Sequence, residues 1–449
     1  MLEIEKMREW IEQKQYAALR CAMLEMNEAD IAAALEELEL PASELIKIFR
    51  LLPKSIAADV FSFLTIELEQ TIITSLTDRE AAGIIENLYA DDAADLMEEM
   101  PANVVKRLLA QTTPETRRDI NHLLQYPEDS AGSIMTVEFV DLKENQTVAD
   151  AIERIRKIGL DKETINTCYV TDQSRRLCGT ISLRMLLLSA PSDRIGDRME
   201  ENVIRVSTLM DQEEVAHQFQ KYDFDAMPVV DSENRLVGII TVDDIMDIIE
   251  QEATEDIEMM AAITPTDKPY MRTSVLETWK KRIPWLLLLM ISATFTGKII
   301  LAYEDALAAY AVLTAYIPMF MDTGGNAGGQ ASVTIIRSLS LGEVEFRDML
   351  RVMWKELRVA VLCGVTLAVV NFGKLLLLDR VSMQVAAIVC LTMVVTVIVA
   401  KLVGCSLPML AKKIGFDPAV MASPFITTIV DAVALVIYFQ IATRMLGIV

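Results

Sequence analysis

Asp431 places a carboxylate near the middle of Ala419–Ala442, a stretch otherwise as apolar as a membrane span. A charge at bilayer depth costs ~3 kcal/mol on insertion scales, so such an acid ordinarily faces a wet path and handles ions, or pairs with an intramembrane base. Thr427, four residues earlier, shares its helical face, so its hydroxyl or carbonyl can line the same path. Pro424 is expected to loosen the backbone there. Lys401, in the preceding apolar run, is the candidate partner for the alternative, a structural ion pair. A second polar group is MDTGGNAGGQAS, Met321–Ser332. Its glycines, Gly324 and Gly325 among them, suit close helix packing. Asn326 and Gln330 need partners at that depth, which points to a pore or a broken helix.

Five apolar segments must position these residues: Pro284–Tyr303, Leu307–Ile336, Val359–Leu378, Met383–Leu410 and Ala419–Ala442. Each reaches the ~20 residues that cross a ~30 Å hydrocarbon layer. The second and fourth are long enough to need tilt or a break. Lys280, Lys281 and Arg282 precede the first. Arg337, Arg347, Arg351, Lys355 and Arg358 follow the second, and Lys412 and Lys413 follow the fourth. Basic loops mark the cytoplasmic side. The N-terminal half is therefore expected in the cytoplasm and the C-terminus outside.

Charge divides the chain. The first 275 residues carry 54 acids against 27 basic residues, and the remainder 11 against 15. An acidic half on a mildly basic apolar half is no nucleic-acid binder, which needs clustered positive charge. It suits divalent cations, or serves solubility alone. Six scattered cysteines form no CxxC pair and read as reduced packing residues. With two histidines in 449 residues, the available donors are carboxylate and carbonyl oxygens, which suit magnesium, calcium or manganese. The start, MLEIEKMREWIEQ, has no apolar signal core.

Residues 1–130 read as all-helical. Leu40-Pro41, Leu52-Pro53 and Met100-Pro101 each open a short helix, with proline in its first turn. Such helices stack as a small superhelical solenoid or as a plain bundle. From Ile134 strands and helices alternate, and a duplication appears. YVTDQSRRLCGTISLRMLL from Tyr169 aligns with PVVDSENRLVGIITVDDIM from Pro228, pairing Asp172 with Asp231, Leu177 with Leu236 and Gly179 with Gly238. Upstream, Met135-Thr136 pairs with Met199-Glu200. The copies differ in length by about five residues near 157–167. Residues 131–253 thus resemble a tandem pair of CBS modules, which implies an α/β regulatory domain that binds adenine nucleotides or metals and dimerises. An acidic helix from Thr241 and the linker TPTDKPYMRT fill 241–275, ahead of the apolar part at 276–449.

The whole chain resembles the MgtE family of magnesium channels. The resemblance rests on Pro318 to Gln330 (P-x-x-x-x-TGGNAGGQ), YDFDAMPVVD from Tyr222, GIITVDDIMDIIEQEATEDI from Gly238, and FDPAVMASPFITTIVD from Phe416 to Asp431. It implies an all-α superhelical N-terminal domain, a CBS pair, a long connecting plug helix and five transmembrane helices. It also implies a homodimer in a bacterial inner membrane, with the pore on the two-fold axis, and no enzyme activity. Mg²⁺ is the implied cargo and regulator, with ATP a further ligand of the CBS pair. Asp431 and Thr427 would select the ion, with Gly324, Gly325, Asn326 and Gln330 lining the pore. Asp244, Asp247, Glu252, Glu255 and Asp256 of the acidic helix would bind regulatory metal. So would the matched acids Asp59, Asp91, Asp95, Asp211, Glu213, Asp223 and Asp417. Gly329, Ser423 and Lys401 depart from the usual pattern, which puts the lining of the pore at issue. The competing reading is a CBS-regulated transporter of another cation or solute.

Overall fold

The computed structural model describes residues 2–266, 270–271 and 273–447, without the side chains of Leu2, Glu3, Ser55 and Ser423. Contacts divide it into two units, Met1–Ile249 and Glu250–Val449.

The first unit begins with ten helices among the described residues. They include α3 (Glu28–Glu37), α4 (Ala42–Phe49), α5 (Lys54–Ser62), α6 (Ile66–Ser75), α7 (Asp78–Ile85), α8 (Ala90–Glu98), α9 (Ala102–Leu109) and α10 (Pro114–Leu123). Their N-caps fall at Pro41, Pro53, Thr65, Thr77, Tyr89, Pro101 and Thr113, twelve residues apart each time. The prolines sit one position before the first turn, with ψ of 144°, 148° and 136°. There the extended backbone lets the carbonyl accept the first helical bond, as Pro41 does from Leu45 at 3.0 Å. From α3 onward each helix packs on the one two places along, as α3 on α5 and α4 on α6. Glu36 and Glu86 hold successive turns together by accepting from the N–H groups of Thr65 and Thr113, at 2.8 and 3.1 Å.

Two three-stranded sheets follow. β1 (Asp141–Lys143), β2 (Thr167–Thr171) and β3 (Leu177–Ser182) form one; β4 (Val206–Ser207), β5 (Ala226–Val230) and β6 (Leu236–Thr241) form the other. The duplication reappears as register. Val170 pairs with Gly179 and Val229 with Gly238, and a bulge follows at the same place in each copy. The entry segments are exchanged: Thr136 bridges Ile239 of the second copy, and Glu200 bridges Thr180 of the first. A Cβ at Gly179 or Gly238 would stand 2.9 or 2.7 Å from those entry carbonyls, so both copies keep glycine there. The length difference lies after α11 (Val148–Ile158), where a 3-10 turn at Gly159–Asp161 has no counterpart behind α13 (Gln212–Tyr222). α14 (Val242–Met260) carries the chain onward.

The second unit contains α15 (Val275–Ala302), α16 (Glu304–Ala309), α17 (Ile317–Ser340), α18 (Met349–Leu377), α19 (Met383–Lys413) and α20 (Ser423–Leu446). Among the described residues four are long and apolar enough to cross a membrane: α15, α18, α19 and α20. α17 has 24 residues, but its glycines and polar side chains dilute its apolar character. The expected span Leu307–Ile336 is broken before α17 by a 3-10 turn at Ala311–Tyr316. The long fourth segment is one helix, α19, with Pro408 inside it. Pro424 lies in the first turn of α20, where it starts the helix and loosens nothing.

Candidate functional site

α17 is clasped by α19 and α20 through its glycine face. A Cβ at Gly325 would meet Thr427 Cγ2 at 2.9 Å, and one at Gly324 would meet Val430 at 2.8 Å. A Cβ on Gly404 would collide with the Gly328 carbonyl oxygen. The glycines therefore serve close approach, and that approach sets Thr427 and Asp431 of α20 beside α17. Asp431 Oδ1 is buried and makes no hydrogen bond.

Lys401 does not pair with Asp431. Its Nζ lies 3.7 Å from Glu356 Oε2 of α18, both side chains nearly enclosed. Glu356 precedes the expected third segment by three residues and carries no sequence signal of its partner. Asp322 stands inside the glycine motif, whose spacing alone assigns it no role. Its side chain accepts from Asn326 Nδ2 at 3.1 Å, and its charge acts on Asp431. Asn326 and Gln330 are exposed on α17, away from the buried Gly324, Gly325 and Gly329. The Ser423 side chain lies outside the described residues.

The acids of the first unit gather where α8 docks. Ala90 and Ala94 of α8 share a core with Met227, Ile245 and Ile248. This turns Asp91, Asp92 and Asp95 toward Asp244. Burial first, then Asp92 and Asp244, holds Asp91 well above the usual carboxylate range, and its Oδ1 is buried without a hydrogen bond. Burial, then Asp244 and Asp243, pushes Asp92 up to about 7, and burial, then Asp92 and Glu98, does the same to Asp95. Asp244 rises to about 6 through burial, despite the Thr241 hydroxyl donating to it at 2.7 Å. Glu69 and Glu163, neither singled out from sequence, are pushed up to about 8 by burial and these acids. Asp59 is raised by burial and Glu28.

The remaining acids lie elsewhere. Asp211 caps α13 by accepting from the Glu213 N–H at 2.9 Å, Glu213 faces His217 at 3.8 Å, and Asp223 holds a left-handed turn with φ 53°. Asp247 follows Asp244 by one turn of α14 and adds to the charge upon it. Glu252, Glu255 and Asp256 fall in the second unit. Asp256 accepts from Ser340 at 3.1 Å, near Arg337, Lys412 and Asp417. Asp417 accepts from the Ala419 N–H at 2.7 Å. Met259 and Met260 pack on Ile336, Ala419 and Ala422. Among the described residues no three His, Cys, Asp or Glu side chains are grouped to ligate a metal. The cluster is held at electrostatic range, as like charges at partly dry positions require.

Comparison with known proteins agrees with this layout. MgtE, described as a divalent cation transporter, matches residues 317–441; the MgtE intracellular N domain matches 26–129; CBS domains match 131–191 and 195–251. Magnesium transporter MgtE of Thermus thermophilus is 37% identical over 450 residues, covering 98% of each chain. The Bacillus subtilis transporter of the same name is 36% identical over 329 residues, covering 72% of this chain and 70% of its own. The crystal structure of the cytosolic domain of the Mg²⁺ channel MgtE with ATP superposes with a TM-score of 0.52 at 37% identity, covering 55% of this chain and 99% of that one. These relatives are transporters, not enzymes. From the stacked N-terminal helices through the CBS pair to the helix that carries Asp431, the chain belongs to the MgtE family of divalent cation transporters.

Proposed function

We propose that this chain is a Mg²⁺ channel of a bacterial inner membrane, working as a homodimer with α17 and α20 around a pore on the two-fold axis. Five helices would cross the bilayer, α17 among them, with the acidic half cytoplasmic and the C-terminus outside. Asp431 carries the reading. Its buried oxygen, without a hydrogen bond, lies in an apolar helix beside the glycine face of α17. Two copies would bring two such carboxylates to one constriction. Mg²⁺ sheds water reluctantly and is usually held by one or two carboxylates with several waters retained. A largely hydrated ion held this way can leave again. Asn326 and Gln330 would line the approach, with Thr427 beside Asp431; Gly324 and Gly325, expected from the resemblance to line it too, are packed against Val430 and Thr427 and hold α17 to α20 instead. Asp431→Asn, reconstituted in liposomes, is expected to lose Mg²⁺ uptake by two orders of magnitude or more. Uptake at the wild-type rate would overturn the reading, and competition by other divalent ions would test the broader alternative.

The acidic half is the proposed gate. Asp91, Asp95 and Asp244 stand within electrostatic range of one another, and the buried oxygen of Asp91, without a hydrogen bond, supports the reading that a divalent cation would draw them together. A bound cation would neutralise the repulsion that keeps these acids protonated at unusually high pH. Asp59 would add to this site, and Asp211, Glu213 and Asp223 to the second CBS copy. Asp247, Glu252, Glu255 and Asp256 would extend the effect along α14 as a plug helix, toward Asp417. The cleft lined by Tyr169, Thr180, Arg198 and Asp225 is the proposed ATP site. Tyr169 has a buried hydroxyl without a hydrogen bond there.

A further inference from the structure

α17 has a second face. Asp322, Asn326, Gln330 and Thr334 recur at intervals of four and are all exposed. Four residues advance a helix by about one turn, so they form one polar stripe. Gly324, Gly325, Gly328, Ala331 and Ser332 occupy the opposite side and are buried. The stripe is internally connected. Asn326 donates to Asp322 at 3.1 Å, and Thr334 donates to the Gln330 carbonyl at 2.8 Å.

At bilayer depth such a stripe cannot face hydrocarbon, because exposed amides and a carboxylate would lose water without replacement. It must face water or a second copy. Asp322 is the charged member. It lies one turn before Asn326, away from the basic loop that begins at Arg337. On the helix Asp322 stands at the edge of the stripe next to Gly325, against which Thr427 of α20 packs; one turn further along α20, Asp431 has its buried oxygen without a hydrogen bond, within electrostatic reach of Asp322. Asn326 holds one oxygen of Asp322 and leaves the other available.

Building on Asp431 as the ion-selecting residue, we propose that Asp322 is a second, affinity-setting carboxylate of the cation path. Each copy then supplies an acid pair on two helices, α17 and α20, with Asn326 as the positioning amide. Mg²⁺ keeps its waters and meets the outer acid through them. The inner acid receives an ion already concentrated and oriented. The arrangement favours divalent over monovalent cations, since two carboxylates attract a doubly charged ion about twice as strongly as a singly charged one.

The experiment uses the full chain in liposomes, with an interior Mg²⁺ indicator and a range of external Mg²⁺. Asp322→Asn is expected to raise the half-saturating concentration about tenfold, with a smaller fall in maximal rate, and to weaken discrimination against Na⁺. Asp322→Glu, which keeps the charge, should retain most of the wild-type affinity. Size-exclusion profiles in detergent show whether each variant is folded. Half-saturation unchanged in Asp322→Asn overturns the inference, as does an equal loss in Asp322→Glu. Either result leaves the channel reading intact if Asp431→Asn is inactive. Wild-type flux through Asp431→Asn would instead remove the reading beneath it.

Discussion

Glu163 offers the sharpest test of the acidic cluster. It lies on the insertion after α11, partly buried, and faces Asp243, Asp244, Asp92 and Glu138. Burial first, then those charges, lifts its carboxyl from 4.5 to about 8. A carboxyl whose pKa is higher in the folded state takes up a proton on folding. Its stabilising contribution is complete below its ordinary pKa and is lost as pH rises through about 8. The first unit should therefore weaken between pH 6 and pH 8 in the absence of divalent cations. At ~1.4 kcal/mol per pH unit, Glu163 alone would account for ~3 kcal/mol over that window. Partial exposure screens the charge and brings this to roughly 1–2 kcal/mol. Glu163→Gln keeps the shape and removes the charge. Calorimetry on the detergent-solubilised chain at pH 8 with chelator should show the first-unit transition raised by about 2–8 °C, at ~2–4 °C per kcal/mol for a domain of this size. The variant should respond less to pH between 6 and 8, and less to millimolar Mg²⁺. An unchanged or lower transition at pH 8 would refute the reasoning.

Three further outcomes are expected. Neutralising Asp244, Asp247, Glu255 and Asp256 together should give a channel that stays open at millimolar internal Mg²⁺, read by patch-clamp recording; normal closure would count against the gate. Gly404→Ala should displace α17 from α19 and lower thermal stability in detergent by several degrees, because its Cβ meets the Gly328 carbonyl; Gly373→Ala, with open space at its Cβ, should leave stability unchanged. Glu356→Leu should cost ~3–5 kcal/mol by leaving Lys401 enclosed without its counter-charge, while Glu356→Leu with Lys401→Met should recover most of the loss; unfolding in mixed micelles reads both.

Local features were the legible ones. The repeat at Gly179 and Gly238 could be read because a close approach admits only a small residue, and both copies make the same approach. Asp431 stood out because its neighbours are uniformly apolar. The N-terminal period was half visible: Pro41, Pro53 and Pro101 marked three starts, while three threonines (Thr65, Thr77, Thr113) and Tyr89 hold the equivalent places without proline. What stayed hidden was pairing over distance. Nothing local tells Glu356 on α18 that Lys401 on α19 is its partner. Nothing in the loop after α11 announces that Glu163 will meet Asp244, eighty residues on. Asp322 gives no local sign of its place either, because the glycine run that follows it accounts for the segment as close helix packing.

The twelve-residue spacing of the N-terminal caps restricts how this domain can change length. Since from α3 to α10 each helix leans on the one two places along, odd and even helices build opposite walls. Losing or gaining a single module would move each later helix to the other wall and carry Asp91 and Asp95 away from Asp244. Viable insertions and deletions should come in steps of twenty-four, two helices together.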